Sequence, residues 1–214
     1  MARFLLSIFI VLFISVSLEA QDTVRLIHKE YTTVFSKSKK YPVLVEWWLT
    51  KQKVSCVNPV PRKDQFIPDP LLAAETDLTK DYTGSGFDRG HMAPAADNQC
   101  SGPDAMKECF YFSNMTPQYG SLNRGDWKTL EMKTRDLAQS QDSVKIWTGS
   151  VGEAKKVQRL SIPEKCWKVI YIKKTGEWQA YIFNNDQSKA NGLEDNKVTI
   201  QDIEKLTNLK FKIN

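Results

Sequence analysis

Phe87-Asp88-Arg89-Gly90-His91-Met92-Ala93-Pro94-Ala95-Ala96-Asp97-Asn98 is the stretch on which this chain turns. It holds one of two histidines in 214 residues, beside an arginine and a carboxylate in an otherwise small-residue run. With an ordinary pKa of about 6.5, such an imidazole is neutral near pH 7 and available as a proton acceptor. A second cluster lies further along: Ser113-Asn114-Met115-Thr116-Pro117-Gln118, then Leu122-Asn123-Arg124-Gly125-Asp126-Trp127, then Glu131 and Arg135. From Asp126 onward, Trp127, Leu130, Thr134, Leu137 and Ala138 recur at helical spacing and predict an amphipathic helix. Trp127, Glu131 and Arg135 share one of its faces, and Asn123 stands just before its start.

The flanking sequence predicts the frame. Val43-Leu44-Val45-Glu46-Trp47-Trp48-Leu49 is rich in β-branched and aromatic residues and predicts a strand. Four of the nine prolines fall between Asn58 and Pro70. They predict an extended loop, because proline removes a backbone donor and disfavours helix in the residue before it. Ser101-Gly102-Pro103 opens a short helix over Asp104 to Glu108, and Phe110-Tyr111-Phe112 predicts a buried strand ending at Asn114. Further strands are expected at Val144 to Thr148, Trp167 to Ile172 and Trp178 to Phe183, with Thr199 capping a short helix over Ile200 to Leu206. Runs of strands with helices between them, but no regular βαβ alternation, indicate an α+β fold around a central antiparallel β-sheet flanked by helices.

Residues 1–20 have the marks of a signal peptide: Arg3, an apolar run from Phe4 to Val16 broken by Ser7 and Ser15, then Ser17-Leu18-Glu19-Ala20. The run is shorter than the roughly 20 apolar residues of a spanning helix. The chain is therefore expected to be secreted or periplasmic, with residues 21–214 as one domain and no stable membrane association after signal removal. A composition of 41% hydrophobic and 26% charged residues excludes a disordered chain. The formal net charge of +5 suits a polyanion partner and equally an ordinary basic secreted protein, and oligomeric state is left open. Cys56, Cys100, Cys109 and Cys166 are expected to form two disulfides in an oxidising compartment. Three pairings are possible; short separation favours Cys100–Cys109, which leaves Cys56–Cys166. A zinc site from the four is disfavoured, since no CxxC spacing occurs. His28 is expected at the surface.

The two clusters contain what phosphodiester hydrolysis requires: a base for the attacking water, cations for the developing charge, and a stabiliser for the leaving oxygen. His91 is the candidate base. Arg62, Arg89 and Arg135 are candidate forks for phosphate oxygens. Asn123 and Glu131 offer oxygens to a hard divalent ion that keeps most of its waters. Each residue also has a plain structural role open to it. A histidine beside Asp and Arg is commonly a hydrogen-bonding residue, Glu131–Arg135 an exposed ion pair, Asn114 a turn residue or part of a glycosylation-type sequon. A nucleic-acid-binding protein without catalysis, and a serine hydrolase using Ser85 or Ser113 with His91, are the competing functions. No Gly-x-Ser-x-Gly elbow supports the latter.

The motifs resemble those of the DNA/RNA non-specific endonucleases, the ββα-metal or His-Me finger family that includes endonuclease G. Asp88-Arg89-Gly90-His91 matches one signature; Asn114 to Gln118 with Leu122 to Glu131 matches the second; Arg62, Phe66, Asp69 and Arg135 also match. Weaker echoes stand at Trp147-Thr148-Gly149, at Pro163 with Trp167-Lys168-Val169-Ile170, and at Ile203 to Thr207, so the likeness spans nearly the whole chain. The resemblance implies a ββα-metal motif with His91 as general base and Asn123 as the direct ligand of a magnesium ion, for which manganese can substitute. It implies that Glu131 holds metal-bound waters, that Arg62 and Arg89 neutralise phosphate charge with Arg135 nearby, that Asn114 orients the histidine or the substrate, and that Asp88 shapes the loop at the substrate site. It implies DNA and RNA as substrates, bound through the phosphate backbone, 5′-phosphate products, and no further nucleic-acid-binding module. The four cysteines are not part of the family pattern.

Overall fold

A computed structural model describes residues 22–189 and 191–213; the expected signal peptide, residues 1–20, lies outside the described residues. Seven strands form one antiparallel sheet in the order β1 (Thr23–Ile27), β2 (Thr32–Ser36), β3 (Tyr41–Thr50), β6 (Ser143–Val151), β9 (Lys165–Ile172), β10 (Glu177–Asn184) and β11 (Lys197–Val198). Two small hairpins stand outside it: β4 (Asp88–His91) with β5 (Met115–Gln118), and β7 (Lys155–Val157) with β8 (Leu160–Ile162).

Period-two alternation in the central strands gives the sheet two apolar faces. Val45, Trp47 and Leu49 of β3, Val144 and Ile146 of β6, and Ile170 and Ile172 of β9 pack against Trp127, Leu130 and Ala138 of the helix Asp126–Ser140. Trp147, Trp167 and Val169 face the other way, under Ile203 of the helix Ile200–Thr207 and Phe211. Thr199 caps that helix reciprocally with Asp202, as its sequence predicts. Gly149 admits no side chain: a Cβ there would lie 2.1 Å from the Val43 carbonyl oxygen.

Three expectations change. Phe110, Tyr111 and Phe112 are buried, but only Tyr111 bridges a neighbour, Ile67, and Phe112–Asn114 closes into a 3-10 turn. The disulfide joins Cys56 to Cys100, while Cys109 and Cys166 are buried thiols. The helix Pro103–Glu108 carries Cys109 away from Cys100 into a cluster with Ala95, Met106 and Phe110, where the thiol donates to the Met106 carbonyl. Cys166 points into the core beside Gln118 and Ser150. His28 is also not at the surface: its side chain is 2% exposed, with Nε2 3.0 Å from the buried Asp69 carboxylate and the ring against Tyr31.

Candidate active site

The β4–β5 hairpin and the helix Asp126–Ser140 form one unit, fastened at two points. The Asn123 amide nitrogen, in the short helix Gly120–Arg124, donates to Asp88 Oδ2 at 3.0 Å. The Trp127 indole donates to the His91 carbonyl at 3.1 Å. Strand register sets Asp88 opposite Gln118 and His91 opposite Met115. Gly90 permits this packing, since a Cβ there would lie 2.0 Å from the buried Gln118 side chain. Asn114, fully buried, clamps the chain that leaves β4. Its oxygen accepts from Ala93 N at 2.9 Å, and its amide donates to the carbonyls of Ala93 and Cys109 at 2.9 and 2.8 Å. It therefore acts on His91 through the backbone, with its own polar atoms turned to the chain.

Arg89 and His91 alternate with Gly90 and point to the same side, where both meet Phe66. The His91 ring lies 5.7 Å from Phe66 and 5.0 Å, edge to face, from Phe110. Its Nε2 is buried and has no hydrogen-bond partner among the described residues. Burial first, and the Arg62 guanidinium second, push the imidazole down to about 3. Arg89 lies over Phe66 and Tyr82 at 5.2 and 5.3 Å, with its Nε also buried and unpartnered among the described residues. Arg62 is exposed, lies over Phe110 at 5.5 Å and is paired with Asp64.

Glu131 sits on the same helix as Trp127, one turn on. Burial pushes its carboxyl up to about 7, opposed chiefly by Lys168 and reinforced by Asp97. Arg62 acts electrostatically on both His91 and Glu131, so both clusters lie within reach of the proline-rich loop that carries it. Arg135 is turned to Asp97, at 3.2 Å, and Asp88 holds Asn123 and, at 3.1 Å, Arg124. Asp69 is fully buried, with Ser113 donating to its carboxylate, so Ser113 is committed there. Ser85 donates to the Tyr82 carbonyl. Neither serine is hydrogen-bonded to His91.

The donor chemistry fits a hard, largely hydrated divalent ion. Among the described residues no group of three His, Cys, Asp or Glu side chains forms a cage. The Asn123 amide nitrogen is engaged with Asp88, which leaves its carbonyl oxygen for an ion, and Glu131 stands on the helix that follows. Two members of the surroundings escaped the sequence: Asp97, tied to Trp47 at 3.2 Å as well as to Arg135, and Lys168, buried on β9 over Trp127 at 4.4 Å. A lone lysine inside the apolar strand Trp167 to Ile172 was the available signal.

A model of the family described as DNA/RNA non-specific endonuclease matches residues 12–214. The mitochondrial nuclease EXOG of Xenopus laevis is 32% identical over 203 residues, covering 85% of this chain and 56% of its own. The nuclease of Serratia marcescens is 30% identical over 205 residues, covering 88% of this chain and 74% of its own. A crystal structure of the EndoG/EndoGI complex superposes with a TM-score of 0.76 at 26% identity, over 87% of this chain and 84% of that one. The chain spans little more than half the length of the mitochondrial EXOG relatives it matches.

Proposed function

This chain belongs to the DNA/RNA non-specific endonuclease family, and from that premise we propose that it hydrolyses phosphodiester bonds of DNA and RNA, leaving 5′-phosphate ends, with a magnesium ion at Asn123. The observation that carries this is the unpartnered Nε2 of His91, buried between Phe66 and Phe110, with Arg89 over the same Phe66 and Arg62 over the same Phe110.

His91 takes the proton of the attacking water. Its surroundings keep it neutral at physiological pH, so the ring enters the reaction as a base. An arriving phosphodiester brings the negative charge that stabilises the imidazolium once formed. Arg89, its Nε free and its guanidinium braced on two rings, receives a non-bridging oxygen, and the exposed Arg62 swings from Asp64 onto the same group. Asn123 and Glu131 would hold the divalent ion, which supplies Lewis-acid stabilisation to the phosphoryl and leaving oxygens. Trp127 fixes the His91 carbonyl, Asn114 holds the chain at Ala93 two residues on, and Asp97 fixes Arg135. These contacts address charge and backbone, in keeping with a substrate range set by the phosphate rather than the base.

Export to an oxidising compartment, with residues 1–20 as the signal and 21–214 as one domain, is part of the same proposal. The Cys56–Cys100 disulfide supports it. Digestion of plasmid and RNA by purified protein, with and without chelator, tests the activity. We expect cutting that chelator abolishes and magnesium restores, and a loss of about 10²–10⁴-fold in His91→Ala. Undiminished cutting by His91→Ala, or by chelated protein, would sink the assignment.

A further inference from the structure

Lys168 is 1% exposed, in the middle of β9 on the face that carries Cys166 and Ile170 toward the long helix. Its ammonium lies 4.4 Å from the centre of the Trp127 ring and 5.9 Å from that of Trp47. Each indole leads to a carboxylate. Trp47 donates to Asp97 at 3.2 Å, and Trp127 precedes Glu131 by one helical turn on the same face.

A buried ammonium is costly unless opposite charges surround it. The charged side chains acting on Lys168 are Glu131 and Asp97, which favour its charged form, and Arg135, which opposes it. Arg135 is already engaged with Asp97 at 3.2 Å. Lys168, seated on the Trp127 ring one helical turn before Glu131, is the buried cation on that face of the helix not already engaged by Asp97. We propose that Lys168 is a positioning residue of the cleavage site: from the sheet beneath the cleft, its ammonium draws the Glu131 carboxylate across the Trp127 ring and holds it in place. The part concerning cleavage rests on the assignment of Glu131 above; the Lys168–Glu131 coupling does not.

Lys168→Met keeps an unbranched side chain, one atom shorter, and removes its charge. Steady-state cleavage by wild type, Lys168→Met, Glu131→Gln and the double variant forms one test, with thermal melting to check folding. Loss of a partner that orients a site residue typically costs roughly 10–100-fold. We expect kcat to fall by that factor in Lys168→Met with KM within about twofold, and no further loss when the change is made in Glu131→Gln. Equal losses in both backgrounds, or wild-type kcat in Lys168→Met, would overturn the proposal. The second test needs neither activity nor a core substitution. In metal-free protein, the ¹⁵Nζ resonance of Lys168 should move on Glu131→Gln. A stationary resonance overturns the coupling even if Lys168→Met fails to fold. A moving resonance in a protein that cuts nothing would instead leave the coupling standing and remove the nuclease assignment.

Discussion

Replacing His91 with glutamine removes a titration that the fold has made costly, and the size of the effect follows from the ring's surroundings. Phe66 and Phe110 pack against the imidazole, and burial takes it from the ordinary 6.5 to about 3. Below pH 6.5 the unfolded chain binds a proton that the folded chain refuses. The contribution to stability is therefore fully present above pH 6.5 and is lost as pH falls toward 3. At 1.36 kcal/mol per pKa unit the full gap corresponds to about 5 kcal/mol, of which about 3 kcal/mol is expressed between pH 7.5 and 4.5. His91→Gln has no such titration. Urea unfolding of both proteins at pH 7.5, 6.5, 5.5 and 4.5 should show the variant gaining about 3 kcal/mol on wild type across the series. Taking the difference cancels every other titrating group. A difference that stays constant with pH would show an ordinary, hydrated imidazole and refute the reasoning.

Glu131→Gln should behave with the opposite sign. Its carboxyl is raised from 4.5 to about 7, so its contribution is present below pH 4.5 and lost as pH rises through 7. The variant should gain up to about 3 kcal/mol on wild type between pH 4.5 and 7.5, read in the same urea series. Cys56→Ala with Cys100→Ala opens a bridge spanning 44 residues and should lower stability by about 2–4 kcal/mol, whereas Cys109→Ala should leave the reductant sensitivity of the melting temperature unchanged. Gly90→Ala presses a methyl into the buried Gln118 side chain and should cost about 1–3 kcal/mol of unfolding free energy, with cleavage falling as the hairpin shifts.

Much of this was legible in the chain. The sheet strands Val144 to Thr148, Trp167 to Ile172 and Trp178 to Phe183 announce themselves because both faces of the central sheet are apolar, and the long helix because one side of it is. The hairpin that carries the site was not legible as strands. Asp88-Arg89-Gly90-His91 has neither β-branched residues nor clean alternation, and Met115 to Gln118 contains Pro117; the two pair because Asn114 and Trp127 tie down their ends. The disulfide was misread because sequence separation stood in for distance. Cys100 meets Cys56 through the proline-rich loop, where Val60 N bonds to the Gln99 carbonyl at 2.8 Å. His28 and Lys168 share a further reason: a titratable side chain is placed at the surface by default, and only its partner, Asp69 or Glu131 with Asp97, reveals otherwise.

The polar groups around the cleft fall into two sets with different energetics. Asn114, Asp88, Asp97 and the Trp127 indole spend their hydrogen bonds inside the protein, so removing any of them lowers stability and displaces the site together. His91 Nε2 and Arg89 Nε are buried without partners among the described residues, each at a cost of about 1–3 kcal/mol that the fold bears. A ligand that supplies both partners would remove that cost. Both groups lie on one side of one short strand, against the same phenylalanine, one a fixed donor and the other a base. A ligand that relieves both must offer an acceptor oxygen and a proton side by side, which is what a phosphodiester with its attacking water presents.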